Sequence, residues 1–378
     1  MTLQDVCELI VDCPHSTAND DGNGYPLIRT PNIGKGRLLL DGVHRVSEDV
    51  YNKRNQRAVP QDDDLILARE APAGNVAIIK NGEKVCLGQR TVLLRPDKAK
   101  VFPDYLVYYL LAPQQQYHML GTANGATVAH VNIPTIRKLP VDLPPMNVQT
   151  KIGGFLSSID SLIENHRRQI ALLEEAAQRI YKEWFDHRSH DDWQSLTVND
   201  IAEEIKNSVK PDEINADTPY IGLEHIPRRD ICLSTWSNSS DVQSNKYRYQ
   251  KNDIIFGKIR PYFHKVGFAI NDGVVSTDSF VMRPKGPCWG FLLMTVSSDA
   301  FVDFASVNCK EGSKMPRADW QRMTQFKIML PPHDILQRFE RIIKQITSEI
   351  RNLALQIHLL QEARDRLLPK LLSGEIEV

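Results

Sequence analysis

Two groups of polar residues could recognise another molecule, and each lies in a different half of the chain. The first group is Arg29, Thr30, Asn32, Lys35, Arg37, Arg69, Gln89, Arg90, Asn124, Thr127, His130 and Asn132. The second group is Glu224, His225, Lys246, Tyr247, Lys258, Arg260, Tyr262, Thr277, Asp278, Lys310, Ser313, Lys314 and Arg317. Arginine and lysine bind guanine or phosphate, asparagine and glutamine pair with adenine, and carboxylates accept from cytosine, so these residue types suit the reading of base edges in duplex DNA. Solvated surface loops have a similar composition, but the parallel placement of the two groups favours DNA.

Local charge supports this hypothesis, although the whole chain is nearly neutral. The 378 residues include 46 basic and 47 acidic side chains, which gives a net charge of -1. Residues 23–60 carry a net charge of +4, and residues 244–285 carry +5. Ordinary fluctuation of charge along a chain is the alternative explanation for either window.

Sequence motifs for catalysis are missing. The sequence has no G-x-x-x-x-G-K-[ST] loop, no G-x-G-x-x-G after a strand and no Asn/Asp-Pro-Pro-aromatic tetrapeptide for amino-methylation. Glu204-Ile205-Lys206, with Asp192 upstream, could imitate a metal-dependent nuclease site. Such tripeptides are common by chance, and this one is predicted to lie on an amphipathic helix. The eleven histidines form no i, i+4 pair around a glutamate. We therefore expect no catalytic residue and no metal site.

The chain contains an internal repeat. Pro144-Pro145 recurs 187 residues later as Pro331-Pro332, and at the same offset Gly125 falls on Gly312 and Asn165 on Asn352. Shared helical periodicity would align leucines, but it would not also align the prolines, the glycine and the asparagine. The order along the chain is therefore module, long helix, module, long helix.

The two long helices are predicted from their periodicity. After each Pro-Pro pair, apolar residues recur every three or four positions for about 37 residues, which corresponds to a helix roughly 55 Å long. A helix with one apolar stripe needs a partner, so we expect the two repeats to pack as an antiparallel coiled coil. Ser373-Gly374 ends the second helix. Phe155, Trp184, Phe185 and Leu371 are predicted to remain as anchors for docking another chain.

The two modules are predicted to be mixed α/β domains. Short apolar strands such as 65–68, 76–79 and 91–94 lie between turn residues, and residues 102–116 and 291–304 predict one helix per module. The fold class is α/β (α+β), with two mixed α/β recognition domains in tandem, separated by a pair of long antiparallel helices with pseudo-two-fold symmetry. The predicted boundaries are 1–143 for the first recognition domain, 144–187 for the first long helix, 188–330 for the second domain and 331–378 for the second long helix.

The composition is typical of a globular protein of several domains. Apolar residues make up 42% of the chain and charged residues 25%. The sequence shows no basic leader and no stretch near the roughly 20 apolar residues that span a bilayer. The six cysteines form no C-x-x-C pair, which suits a reducing compartment. We expect a cytoplasmic protein with no membrane partner.

Four segments of the chain match a known family. They are Glu-Ala-Arg-Asp-Arg-Leu-Leu-Pro-Lys-Leu-Leu-Ser-Gly-Glu-Ile at 362–376, Ile-Tyr-Lys-Glu-Trp-Phe at 180–185, Asp-Ile-Ile-Phe-Gly-Lys at 253–258, and Pro331-Pro332. With these segments the chain resembles, over essentially its whole length, the specificity subunits of type I restriction-modification systems. One departure is that the Glu-Gln common after Pro-Pro in that family reads Val148-Gln149 here and Ile335-Leu336-Gln337 in the second repeat.

The resemblance implies a division of labour among subunits. In that family two target-recognition domains each read one half of a split DNA site, and the conserved helices set their separation and bind methyltransferase (modification) subunits. The specificity subunit has no active site or cofactor of its own. Modification subunits bind S-adenosylmethionine, and the motor-nuclease (restriction) subunits use ATP and Mg²⁺. The alternatives are a metal-dependent nuclease, which would cut DNA with magnesium as an isolated chain, and a structural adaptor, which would give no sequence-selective DNA retention by the reconstituted complex.

Overall fold

The computed structural model describes residues 1–121, 130–185, 193–309 and 315–377. The chain divides into two compact units. Unit 1 is Met1–Glu164 with Leu359–Val378, and unit 2 is Asn165–His358. This division differs from the four predicted segments, because the long helices are not separate domains. Each long helix contributes one part to each unit.

The elements are numbered in chain order. The helices are α1 (Glu48–Arg54), α2 (Pro103–Leu111), α3 (Pro113–Leu120), α4 (Ile133–Arg137), α5 (Met146–Phe185), α6 (Val198–Ile201), α7 (Trp289–Val296), α8 (Asp299–Val307), α9 (Trp320–Met323) and α10 (His333–Leu372). The strands of unit 1 are β1 (Cys7–Asp12), β2 (Tyr25–Ile28), β3 (Gly36–Arg37), β4 (Arg45–Val46), β5 (Leu65–Ala68), β6 (Val76–Ile78), β7 (Cys86–Leu87) and β8 (Thr91–Pro96). The strands of unit 2 are β9 (Gln194–Thr197), β10 (Ala202–Glu204), β11 (Ser208–Val209), β12 (Pro219–Ile221), β13 (Cys232–Leu233), β14 (Ser237–Asn238), β15 (Lys246–Tyr249), β16 (Ile254–Gly257), β17 (Val266–Ala269), β18 (Gly273–Val275), β19 (Ser279–Pro284) and β20 (Lys327–Leu330).

A five-stranded sheet forms the centre of each unit, with the same strand order in both. The order is β1-β8-β5-β6-β3 in unit 1 and β10-β19-β16-β17-β13 in unit 2. In both sheets the last pair is parallel and the other pairs are antiparallel. The central strands β5 and β16 are buried along their whole length, as their uninterrupted apolar sequences predict. The sequence repeat is therefore a repeat of topology, and the predicted tandem α/β fold is confirmed.

A second sheet distinguishes the two units. In unit 1, β2 pairs antiparallel with β4 and parallel with β7. In unit 2, β12 pairs in the same way with β14 and β18, and β15 and β11 extend the sheet to five strands. Unit 2 thus has a larger second sheet than unit 1.

The long helices pack on each other within each unit. In unit 1, Ile152 of α5 shares a core with Leu368 of α10, so the start of α5 meets the end of α10. In unit 2, the ring of Trp184 at the end of α5 lies 5.8 Å from that of Phe339 near the start of α10. Both contacts follow the predicted antiparallel pairing, because the apolar stripe of each helix needs a partner surface.

The long helices also approach the short helices at equivalent positions. In unit 1, a Cβ at Gly153 of α5 would lie 2.6 Å from the backbone nitrogen of Tyr105 in α2, so glycine is required for the close approach. Glu340 of α10 stands 187 residues after Gly153. Its carboxylate accepts hydrogen bonds from the backbone N–H groups of Gly290 and Phe291 in α7, at 2.9 and 2.8 Å. The same crossing is therefore closely packed in unit 1 and hydrogen-bonded in unit 2.

The prediction of one helix at 102–116 and one at 291–304 was wrong, because each segment forms two helices. Pro113 holds Ala112 in an extended conformation, which ends α2 and starts α3. In unit 2 the hydroxyl of Ser298 accepts from the backbone N–H of Phe301 at 3.2 Å and begins α8. Within the described ranges no single helix is long and apolar enough to cross a membrane, while α7 and α8 together pass by length and composition but are bent by 60°.

Candidate nucleic-acid interface

The same two backbone hydrogen bonds gather three polar segments in each unit. In unit 1, the N–H of Arg69, just after β5, donates to the carbonyl of Arg90 (2.8 Å), and the N–H of Val131 donates to the carbonyl of Arg69 (2.9 Å). In unit 2, the backbone N–H of Lys258 donates to the carbonyl of Asp278, and the backbone N–H of Ala318 donates to the carbonyl of Lys258, both at 2.8 Å. Three segments therefore meet at equivalent places in the two units. They are the end of the central strand (β5 or β16), the turn before the neighbouring strand (β8 or β19), and the segment around His130 or Arg317.

Polar cluster 1 consists of Asp12, Arg69, Glu70, Arg90 and His130. The Arg69 guanidinium donates to both oxygens of Asp12, at 3.1 and 3.2 Å, and to Nε2 of His130 at 2.9 Å. Because a guanidinium can only donate, Nε2 of His130 accepts, and Nδ1 carries the proton that Glu70 accepts at 2.6 Å. The other Glu70 oxygen lies 2.8 Å from Nε of Arg90. Arg69 is buried, so it positions the cluster, while Arg90 and His130 reach solvent.

Polar cluster 2 consists of Lys258, Thr277, Asp278 and Arg317 in unit 2. Nζ of Lys258 donates to the carbonyl of Thr277 at 2.8 Å and lies 4.5 Å from the centre of the Phe280 ring. Burial lowers the pKa of Lys258. Arg317 is exposed and pairs with Asp278 at 2.8 Å. Lys258 and Arg317 line a cleft of about 460 Å³, where basic and hydrogen-bonding groups are available to an anionic polymer.

The turns Thr30–Asn32 in unit 1 and Leu223–His225 in unit 2 contribute fewer available groups than predicted. Asn32 is buried, accepts from the N–H of Arg29 at 3.2 Å and donates to the carbonyl of Leu39 at 3.2 Å. Thr30 is buried beside it, and Lys35 is exposed. In unit 2, Nδ1 of His225 accepts from the N–H of Gly222 at 2.9 Å. Both turns are therefore held by their own side chains, and in unit 2 Glu224 remains exposed.

Besides Thr30, Asn32 and Arg69, two more predicted base contacts are withdrawn because their side chains are buried in protein contacts. Nη2 of Arg37 donates to the Ser157 hydroxyl of α5 at 2.7 Å, and its Nε lies 3.7 Å from Glu164. Nζ of Lys246 donates to the hydroxyl and carbonyl of Ser244 at 2.7 and 3.0 Å. A side chain held in this way cannot also reach a base edge.

Five other predicted residues are neighbours of cluster residues, four of them along the chain and Tyr247 by a ring contact. Gln89 precedes Arg90 and donates to the carbonyl of His15 at 3.3 Å. Asn132 is exposed after His130, and the Tyr247 ring lies 5.4 Å from Nζ of Lys258. Arg260 and Tyr262 follow Lys258 along the chain. The predicted residues Asn124, Thr127, Lys310, Ser313 and Lys314 lie outside the described residues.

The proposed docking anchors also need correction. Phe155 of α5 is 40% exposed, but Leu371 is only 3% exposed and belongs to the core of unit 1. Trp184 and Phe185 pack against the core of unit 2, where the Phe185 ring lies 4.8 Å from that of Phe339. Leu371 is thus occupied inside its own unit, whereas Trp184 and Phe185 are half-buried against the core of unit 2.

A metal-dependent nuclease finds no support at the segment that suggested it. Glu204 lies in strand β10, not on the predicted helix, and its carboxylate pairs with Nζ of Lys206 at 2.7 Å. Asp192 falls outside the described residues. Among the residues that the structure describes, no three His, Cys, Asp or Glu side chains are placed to hold a metal ion.

Sequence reasoning missed Asp12, Asp160 and Arg228. Asp12 binds Arg69 although 57 positions separate them, and no local pattern indicates such a pairing. Asp160 lies in line with Leu156 and Ile163 on the apolar face of α5. A charged residue on an apolar helix face indicates a buried partner, so this position could have been found from the sequence. Arg228 lies with its guanidinium carbon 4.1 Å from the centre of the Phe263 ring.

The fold and the paired clusters define a class of protein with two copies of one recognition domain. A family model described as "Type I restriction modification DNA specificity domain" matches residues 1–175 and again residues 190–360. The chain therefore belongs to this family and carries its domain twice.

Individual relatives extend over most of the chain. The MjaIX type I restriction enzyme specificity subunit of Methanocaldococcus jannaschii is 25% identical, over 89% of this chain and 83% of the relative. The EcoDI specificity subunit of Escherichia coli is 22% identical, over 80% and 76%. The crystal structure of a type I restriction-modification S subunit from M. genitalium shares the fold, with a TM-score of 0.57, 15% identity, and coverage of 98% of this chain and 95% of that one.

Proposed function

We propose that this chain is the non-catalytic DNA-specificity subunit of a type I restriction-modification complex, in which each unit reads one half of a split DNA target. The observation that carries the proposal is the equivalence of polar clusters 1 and 2, which the same pair of backbone hydrogen bonds places at the same point of the repeated topology. Two equivalent sites with different side chains suit two half-sites of different sequence.

The proposal extends to the partner subunits. Modification subunits would supply methyl transfer with S-adenosylmethionine, and restriction subunits would supply ATP-driven motion and Mg²⁺-dependent cleavage. The long helices would set the spacing of the half-sites and provide a docking surface, with Phe155 as the most exposed of the predicted anchors. Family membership supports this assignment.

The test is methylation mapping in cells that carry the chain with its modification and restriction subunits. The expected result is methylation at one split sequence, with a fixed run of unread bases between its halves. Loss of this pattern on deletion of the chain, with the modification subunit still present, would attribute the sequence selection to it. Magnesium-dependent cutting by the isolated chain, or sequence-independent DNA retention by the reconstituted complex, would refute the proposal.

A further inference from the structure

The connection between β16 and β17 carries an exposed aromatic ring four residues after Lys258 of polar cluster 2. Tyr262 lies in the 3-10 turn Pro261–Phe263 and is 53% exposed. Its ring packs edge-on against that of Phe263, with 5.0 Å between the ring centres. A tyrosine this exposed does not serve the core, and its neighbours along the chain belong to the candidate interface.

The backbone of this turn is held on several sides. Arg260 and His264, which flank the turn, both adopt left-handed conformations, with φ of 51° and 54°. Residues other than glycine keep such conformations where the surrounding structure holds them. Nε2 of the buried His264 lies 2.8 Å from the carbonyl oxygen of Ser297, and the N–H of Arg260 donates to the carbonyl of Pro316 at 2.8 Å. The backbone that carries the Tyr262 ring is therefore held in one conformation, which lowers the entropy cost of binding.

Positive charge lies at the Phe263 ring, against which the Tyr262 ring packs. The guanidinium carbon of Arg228 lies 4.1 Å from the centre of the Phe263 ring, and that of Arg260 lies 5.7 Å from it. Arginines this close to an exposed ring can bind the phosphates of a base step while the ring enters the step. The equivalent connection in unit 1, residues 69–75, contains no aromatic residue.

We infer that Tyr262 inserts as a wedge into one base step of the half-site read by unit 2, and that unit 1 reads its half-site without such a wedge. This inference rests on the function proposed above, since it requires that unit 2 bind duplex DNA. Wedge side chains unstack the step that they enter and bend the duplex.

The test uses the reconstituted complex with modification subunits and duplexes that carry the mapped target. The fluorescent base 2-aminopurine replaces one base at a time, except the adenine that becomes methylated, and its fluorescence rises when it is unstacked. We expect a several-fold rise at one step in the half-site of unit 2. The variant Tyr262→Ala should abolish this rise and weaken binding roughly tenfold to hundredfold, whereas Tyr262→Phe should retain both because the ring does the stacking. Tyr117→Ala, at a tyrosine of unit 1 that is 74% exposed, is the matched control and should change neither.

The possible outcomes separate a failure of the wedge from a failure of the proposed function. Sequence-selective binding without a rise at any position, or with a rise that persists in Tyr262→Ala, would overturn the wedge and leave the proposed function standing. Absence of sequence-selective binding by the wild-type complex would overturn the proposed function and the wedge with it.

Discussion

Removal of the Asp160 carboxylate should destabilise unit 1 by about 3 kcal/mol. One oxygen of Asp160 lies 2.6 Å from a guanidinium nitrogen of Arg364 in α10, and the other accepts from the Tyr108 hydroxyl at 2.6 Å. The two charged side chains are 3% and 11% exposed. Asp160→Ala would leave the guanidinium and the hydroxyl buried without this acceptor. Breaking a buried ion pair on one side costs about 3–5 kcal/mol, and the low end applies because Arg364 also pairs with Asp365 at 2.9 Å.

Thermal unfolding measures this effect. A loss of 1 kcal/mol lowers the Tm of a unit of this size by about 2–4 °C, so a fall of roughly 6–12 °C is expected for unit 1. The control is Glu175→Ala, which breaks an exposed pair with Arg179 on α5 and should cost under about 0.5 kcal/mol. The double replacement of Asp160 by Leu and Arg364 by Met should recover part of the loss, because apolar side chains need no partner charge while the Tyr108 hydroxyl still lacks its acceptor. A fall for Asp160→Ala no larger than that of the control would refute the reasoning.

Three further predictions concern the two units and the helices. Arg317→Ala should relax base selection by about 1–3 kcal/mol in one half-site and Arg90→Ala in the other; methylation mapping that showed both halves relaxed by either change would contradict separate reading. The Glu174 carboxyl group accepts hydrogen bonds from two backbone N–H groups of unit 2. Burial raises the pKa of this carboxyl group from 4.5 to about 8. Unit 2 should therefore lose stability as the pH rises from 4.5 to 8; in urea unfolding, Glu174→Gln should be more stable than the wild type at about pH 9 and lack this loss. Inserting four residues into each long helix where the units divide should lengthen it by about 6 Å and widen the unread gap by one or two base pairs, with unchanged half-sites; an active complex that kept the original gap would rule out helices as spacers.

The repeat, the strand segments and the long helices could be predicted from the sequence because their signals are local. Pro-Pro pairs and apolar residues at spacings of three and four are properties of neighbouring positions. The observed helices, Met146–Phe185 and His333–Leu372, lie inside the segments 144–187 and 331–378. The short helices are harder to predict, because the apolar pattern continues through residue 113 although Pro113 holds Ala112 extended and divides the segment.

Only the tertiary structure decided which polar residues are available to a ligand. Arg37 and Arg90 have the same chemistry and lie in the same module. Sheet pairing and the long helix turn Arg37 toward Ser157, which lies 120 positions away, whereas Arg90 stands in a turn that leaves it exposed. The type of a side chain, together with its neighbours in the sequence, determines which groups it can bind. Its exposure depends on contacts between residues far apart in the chain, and those contacts exist only once strands and helices have packed.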